Sequence, residues 1–179
     1  MDLETLSHIV RELSRKITDR GDERALNELV DLILDLKDND RAIRIIAQLL
    51  HDEKTYVLSD TEILTSEERR LINVAALYHA LYMLCRALSR RFEKTDIDSN
   101  RLIEALLDRN LTETTLILEE CIRRILYGDL DERSKVLNMV NNVLNRLEVS
   151  EDDLRGYLML SLVIETRKLI EKLLERSQT

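Results

Sequence analysis

The chain has 179 residues, 44% hydrophobic and 35% charged, with no proline and glycine only at Gly21, Gly128 and Gly156. This composition fits a folded chain better than a disordered one and starves an all-β fold of the turn residues it would need. The net charge of −8 disfavours a general nucleic-acid binder, whose footprint is basic, although it leaves room for a local basic patch.

The first helix is expected over about Asp2 to Asp19, because Leu3, Leu6, Val10, Leu13 and Ile17 recur at alternating spacings of three and four. Gly21 is a natural stop, and Asp22 can cap the second helix, whose apolar face is Leu26, Leu29, Val30, Ile33 and Leu36. The link Asp38-Asn39-Asp40 caps a third helix that carries Ile43, Ile46, Leu49 and Leu50 to about His51. Residues 53–65 lose the helical spacing and read as an irregular loop, longer than a plain connection requires. Its apolar residues must dock on the domain itself or on a partner.

Thr65 and Glu68 have the spacing of a capping box for the fourth helix, which is expected to run to about Lys94. Within it lies the most apolar stretch of the chain, Leu71 to Cys85, interrupted only by Asn73 and His79. A helix apolar on nearly every side must be covered on nearly every side, so this one is read as a central post. The run itself is shorter than the ~20 residues of a membrane span and has charged flanks. Beyond it, Leu88 and Phe92 are expected to face inward, and Arg86, Arg90, Arg91 and Lys94 outward.

Asp98 or Ser99 opens a short fifth helix, and Asn110 precedes a sixth that ends near Gly128. Asp129 or Asp131 caps the seventh, and Ser150 the eighth. The eighth holds a second apolar run at 157–164. The fold class is therefore all-α: an irregular multi-helix bundle or short solenoid-like stack of about eight helices around two apolar core helices. It is read as one helical domain over 1–179. The segment from Glu12 resembles that from Glu120, which implies a repeated three-helix unit. A rival register pairs Ser66 onward with Ser150 onward and implies two four-helix halves, 1–95 and 98–179.

The motifs for chemistry are sparse. There is no glycine-rich phosphate loop, no zinc spacing, and no glutamate three residues before a histidine. His79 is the most suggestive residue and would centre any enzyme reading. It is expected instead to be a core histidine bonded to a tyrosine hydroxyl or a backbone carbonyl, since no second histidine or carboxylate shares its helix face. His8 and His51 read as surface or helix-end residues. Cys85 and Cys121 read as two buried thiols of an intracellular protein.

The sequence thus points away from an enzyme and implies no cofactor and no metal. It favours a non-catalytic, cytoplasmic helical interaction or assembly subunit that binds a protein partner or a second copy. The candidate partner surface is Tyr56, Val57, Leu58, Ile63 and Leu64. The alternative is a subunit of a nucleoprotein complex holding phosphate on Arg86, Arg90, Arg91 and Lys94, a stripe without an aromatic platform beyond Phe92. No membrane partner is expected, because the apolar run is too short to span and has charged flanks, and the acidic, amphipathic N-terminal segment shows no signal-peptide pattern. The wealth of Arg, Glu, Ile and Leu leans toward a thermostable protein. A designed origin is a further alternative, opposed by the internal cysteines and the irregular 53–65 segment.

Overall fold

The computed structural model describes residues 1–59, 61, 64–89, 95–148 and 153–177. These residues form eight α-helices and no strand: α1 (Leu3–Arg20), α2 (Glu23–Asp35), α3 (Asp40–Ser59), α4 (Ser66–Ser89), α5 (Ser99–Leu107), α6 (Leu111–Tyr127), α7 (Leu130–Arg146) and α8 (Leu154–Ser177). They pack as a helical bundle, as the apolar spacing predicts.

The post is α4. It packs on α1, α3, α6 and α8, and Ile72, Leu81, Met83 and Leu84 are fully buried along it. Buried alanines at 75, 76, 80 and 87 keep its surface low, so its neighbours approach closely on several sides. The second core helix is α8, and the two join through a hydrogen bond from the Ser161 hydroxyl to Asn73 Oδ1 (2.8 Å). Asn73, a polar break in the apolar run, is thus satisfied across the helix pair. By length and apolarity α4 could cross a membrane, but 67% of its apolar window is buried inside the bundle. That burial is the behaviour of a core helix.

A tyrosine ties α1 to the post. The Tyr78 hydroxyl donates to the Ser14 carbonyl (2.7 Å) and lies 2.5 Å from Thr18 Oγ1. Its ring is fully buried, and burial pushes the phenol pKa up to about 12.

Most helix starts follow the expected chemistry. Asp22, Asn39, Asp98, Asn110 and Asp129 each accept a backbone N–H of the first turn through the side chain. The Glu68 N–H donates to the Thr65 hydroxyl at 3.3 Å. The start of α8 differs from expectation. It begins at Leu154, and the Arg155 N–H donates to the Asp153 carboxylate (3.2 Å). Ser150, the expected cap, lies outside the described residues, as do Phe92 and the rest of 90–94, where α4 was expected to end.

The larger correction concerns 53–65. The third helix does not stop near His51; α3 continues to Ser59. Its buried positions are Ala42, Ile43, Ile46, Leu50, Lys54 and Val57. That is one unbroken stripe at spacings of three and four. Lysine at the inward position 54 breaks the apolar pattern without breaking the helix.

The two segments that resemble each other are both helix–glycine–helix corners, with glycines of different use. Gly21 adopts the left-handed conformation (φ 58°, ψ 35°), and its N–H bonds back to the Ile17 carbonyl. Gly128 is extended (φ −82°) and is required for space instead. A Cβ there would overlap the Arg124 carbonyl oxygen and the Glu132 carboxylate. Because the carbonyl is backbone, α6 and α7 would have to move apart. Gly128→Ala is therefore expected to cost about 1–3 kcal/mol, read as a lowered urea midpoint at constant slope. Gly21→Ala meets no neighbour within 4 Å and costs only the strained φ.

Candidate functional site

The lysine that hid the end of α3 also marks the site. Lys54 is 8% exposed, and its Nζ lies 3.2 Å from Nδ1 of His79 on α4. His79 is 5% exposed, and its Nε2 lies 2.8 Å from Oγ1 of Thr115 on α6, itself 9% exposed. Three helices thus each place one buried polar side chain at the same point. An ammonium only donates, so His79 Nδ1 accepts from Lys54 and Nε2 carries the proton toward Thr115.

These groups form the wall of an open cleft of about 220 Å³. Tyr82, Arg86 and His51 complete its polar side, while Leu111, Thr112 and Leu116 bring the first turns of α6 to it. Tyr82 sits between the two histidines, its ring centroid 5.5 Å from that of His51 and 5.7 Å from that of His79. Arg86 donates to the Tyr82 hydroxyl (3.2 Å) and pairs with the carboxylate of Glu119 (2.8 Å). A second, wider cleft of about 490 Å³ continues past Tyr82 and Arg86 toward Arg44 and Gln48.

The electrostatics of this wall are one-sided. Burial first, and then the positive charges of Lys54, His51 and Arg86, push the His79 pKa down to about 3. The imidazole is therefore neutral at physiological pH. Burial lowers the Lys54 pKa as well. Among the described residues, no carboxylate lines the cleft, and Arg86 pairs with the buried Glu119. His51 Nδ1 is buried with no hydrogen-bond partner among the described residues.

Several sequence expectations change here. His79 is bonded to a lysine and a threonine, rather than to a tyrosine hydroxyl or a carbonyl. The tyrosine beside it, Tyr78, points to α1 instead. His51 is neither a surface nor a helix-end residue; it is half-buried within α3 and stacks near Tyr82. Arg86 turns to Glu119 and Tyr82 rather than outward. Arg90, Arg91 and Lys94, the other members of the expected phosphate stripe, lie outside the described residues. Of the expected partner surface, Tyr56 is 65% exposed and Val57 is buried at 2%. Leu58 and Leu64 are half-buried. Leu58 packs on the core, and Ile63 lies outside the described residues. That surface is therefore divided between core and solvent.

Among the described residues, no group of three His, Cys, Asp or Glu side chains comes together as a metal site would need. Cys85 and Cys121 are both free and fully buried, and burial raises both thiol pKa values, that of Cys121 to about 12. They are not the thiolates that nucleophilic chemistry uses. The fold and its site define an all-α bundle with a polar cleft among three helices. Comparison with family models, with curated proteins and with solved structures gave no match to this chain.

Proposed function

We propose that this protein is a non-catalytic helical binding protein whose ligand occupies the cleft between α3, α4 and α6. One observation carries this reading: Lys54, His79 and Thr115 are each more than nine-tenths buried, come from three different helices, and converge on the wall of an open cleft. Ordering such groups costs stability, because a buried cation favours folding less than an apolar residue would. Sites that hold polar groups at such cost are where ligands bind. The two free, buried thiols suit a reducing compartment, so the proposal places the protein in the cytoplasm.

The test is thermal unfolding across small molecules grouped by charge, using the wild type and Thr112→Trp, which fills the cleft mouth. A ligand at ~100 times its Kd adds about 2.7 kcal/mol. For a chain of this size that is a rise of about 5–10 °C in Tm. The expected result is a rise in the wild type that is lost in Thr112→Trp. Equal shifts in both proteins, or no shift from any class, would contradict the reading.

A second reading, self-assembly, has its own observation. At the α6–α7 corner Tyr127 is 47% and Leu130 79% exposed. Beside them lies a groove of about 220 Å³, floored by Leu88, Ile125 and Leu173 and edged by Lys37, Arg133 and Arg176. Leu130 is flanked by Asp129 and Asp131, so the corner of one copy would bring an apolar side chain and acids to the apolar floor and basic edge of the groove on another. Light scattering decides it: a dimer that Leu130→Asp converts to monomer supports assembly, and a monomer at every concentration removes it.

A further inference from the structure

Among the described residues, no carboxylate pairs with the Lys54 ammonium. The ammonium donates to the neutral His79 ring, which satisfies one of its three N–H donors. Its pKa is lowered by burial alone, with no carboxylate contributing. The groups whose charges reach the neighbouring His79 are Lys54, His51 and Arg86, all of one sign. Glu119 is the compensating acid nearby, and it answers Arg86 from the other side. Buried ammonium groups in folded proteins are paired. Here the geometry leaves the pairing to whatever enters the cleft.

A second feature of the same cleft points the same way. The first turn of α6, a helix of 17 residues, lines the same cleft. The partial positive charge and unused N–H groups of a helix start attract anions. Asn110 takes up the Glu113 N–H through its side chain (3.1 Å). Glu113, the acid of that first turn, pairs with Arg101 (2.5 Å) and is not among the residues that line the cleft. That leaves the backbone N–H groups of Leu111 and Thr112 beside a cleft that both residues line. The Thr112 hydroxyl is exposed in the same turn and can donate as well.

We infer that the cleft is an oxyanion site: it takes the carboxylate or phosphoryl group of a small organic molecule between the Lys54 ammonium and the first turn of α6. This inference rests on the cleft reading above and adds the ligand's class. The oxyanion supplies the missing countercharge of Lys54 and accepts the N–H groups that the helix start leaves over. The apolar part of the molecule lies on Leu111, Leu116 and the Tyr82 ring. His79 acts as a neutral prop that holds the Lys54 ammonium in place, since its Nε2–H is anchored on Thr115. Volume limits the choice: a cleft of about 220 Å³ admits a small organic acid or a phosphorylated small molecule, not a folded polymer.

The probes are radiolabelled inorganic phosphate and acetate, each measured by equilibrium dialysis at constant ionic strength. The proteins are the wild type, Lys54→Met and Thr112→Glu. Lys54→Met removes the charge and keeps the stem packed. Thr112→Glu sets a tethered carboxylate in the mouth, at a helix position where an acid favours folding, so at least one variant folds. The expected result is saturable binding of one anion per chain, weakened at least about tenfold in both variants. Preference for phosphate or for acetate assigns the phosphoryl or the carboxylate form. Equal binding in all three proteins would overturn the inference. So would failure of both anions to saturate while an uncharged compound still raises the Tm of the wild type over Thr112→Trp. In that case the cleft reading survives and only its ligand class falls; if no compound of any charge acts through the cleft, both fall.

Discussion

Replacing Arg86 by methionine is expected to lower stability by about 3 kcal/mol, and adding Glu119→Gln to the same protein is expected to restore most of it. The physical reason is asymmetry. Glu119 is 2% exposed and its carboxylate receives the Arg86 guanidinium at 2.8 Å. Removing the cation takes this ion pair from a buried carboxylate, and breaking a buried pair costs about 3–5 kcal/mol. The side chain of Arg86 is itself 28% exposed, so water softens the loss toward the lower figure. Glutamine at 119 removes the charge that Arg86 answers and keeps the shape. Urea unfolding of the four proteins of the cycle measures the coupling directly. A loss below about 1 kcal/mol for Arg86→Met would show that the pair behaves as a surface ion pair.

The second large effect is on pH. His79 titrates near 3 in the folded protein, against about 6.5 in an unfolded chain. The unfolded state therefore binds more protons throughout that window, and acid favours unfolding. The contribution of the neutral imidazole is complete above about pH 6.5 and is lost as pH falls toward 3. Between pH 7 and pH 4.5 the loss is about 3 kcal/mol, at ~1.4 kcal/mol per pH unit. Glutamine at 79 can hold Lys54 and Thr115 but cannot titrate. His79→Gln is thus expected to flatten this part of the profile, leaving the slope that the carboxylates contribute. Parallel profiles for the two proteins between pH 7 and pH 4.5 would mean that His79 takes up its proton without unfolding the bundle.

Those two residues also show how much of the protein was legible in its sequence. The bundle was legible because apolar spacing and capping side chains carry it: Asp22, Asn110 and Asp129 cap their helices as the sequence suggests. The two apolar runs are the two core helices, joined at Asn73 and Ser161. The site was not legible, and the failure is informative. A stripe reading Ile46, Leu50, Lys54, Val57 looks broken to a rule that expects an apolar residue at each inward position. The structure keeps the helix and buries the lysine. Local rules tend to fail where a protein gives up stability for function. His79 was noticed, but its partners lie 25 and 36 residues away along the chain. Only the packing of α3 and α6 on α4 brings them together. Arg86 was read as outward because helix-end arginines usually are, and the buried acid that holds it, Glu119, lies on another helix.

The most direct test of the account is a solution NMR titration of the wild-type protein with inorganic phosphate at constant ionic strength. The account predicts saturating shifts concentrated in the amides of Leu111 and Thr112 and in the side chains of Lys54 and His79, absent in Lys54→Met. Small, unsaturable shifts spread over the surface arginines, identical in Lys54→Met, would contradict it.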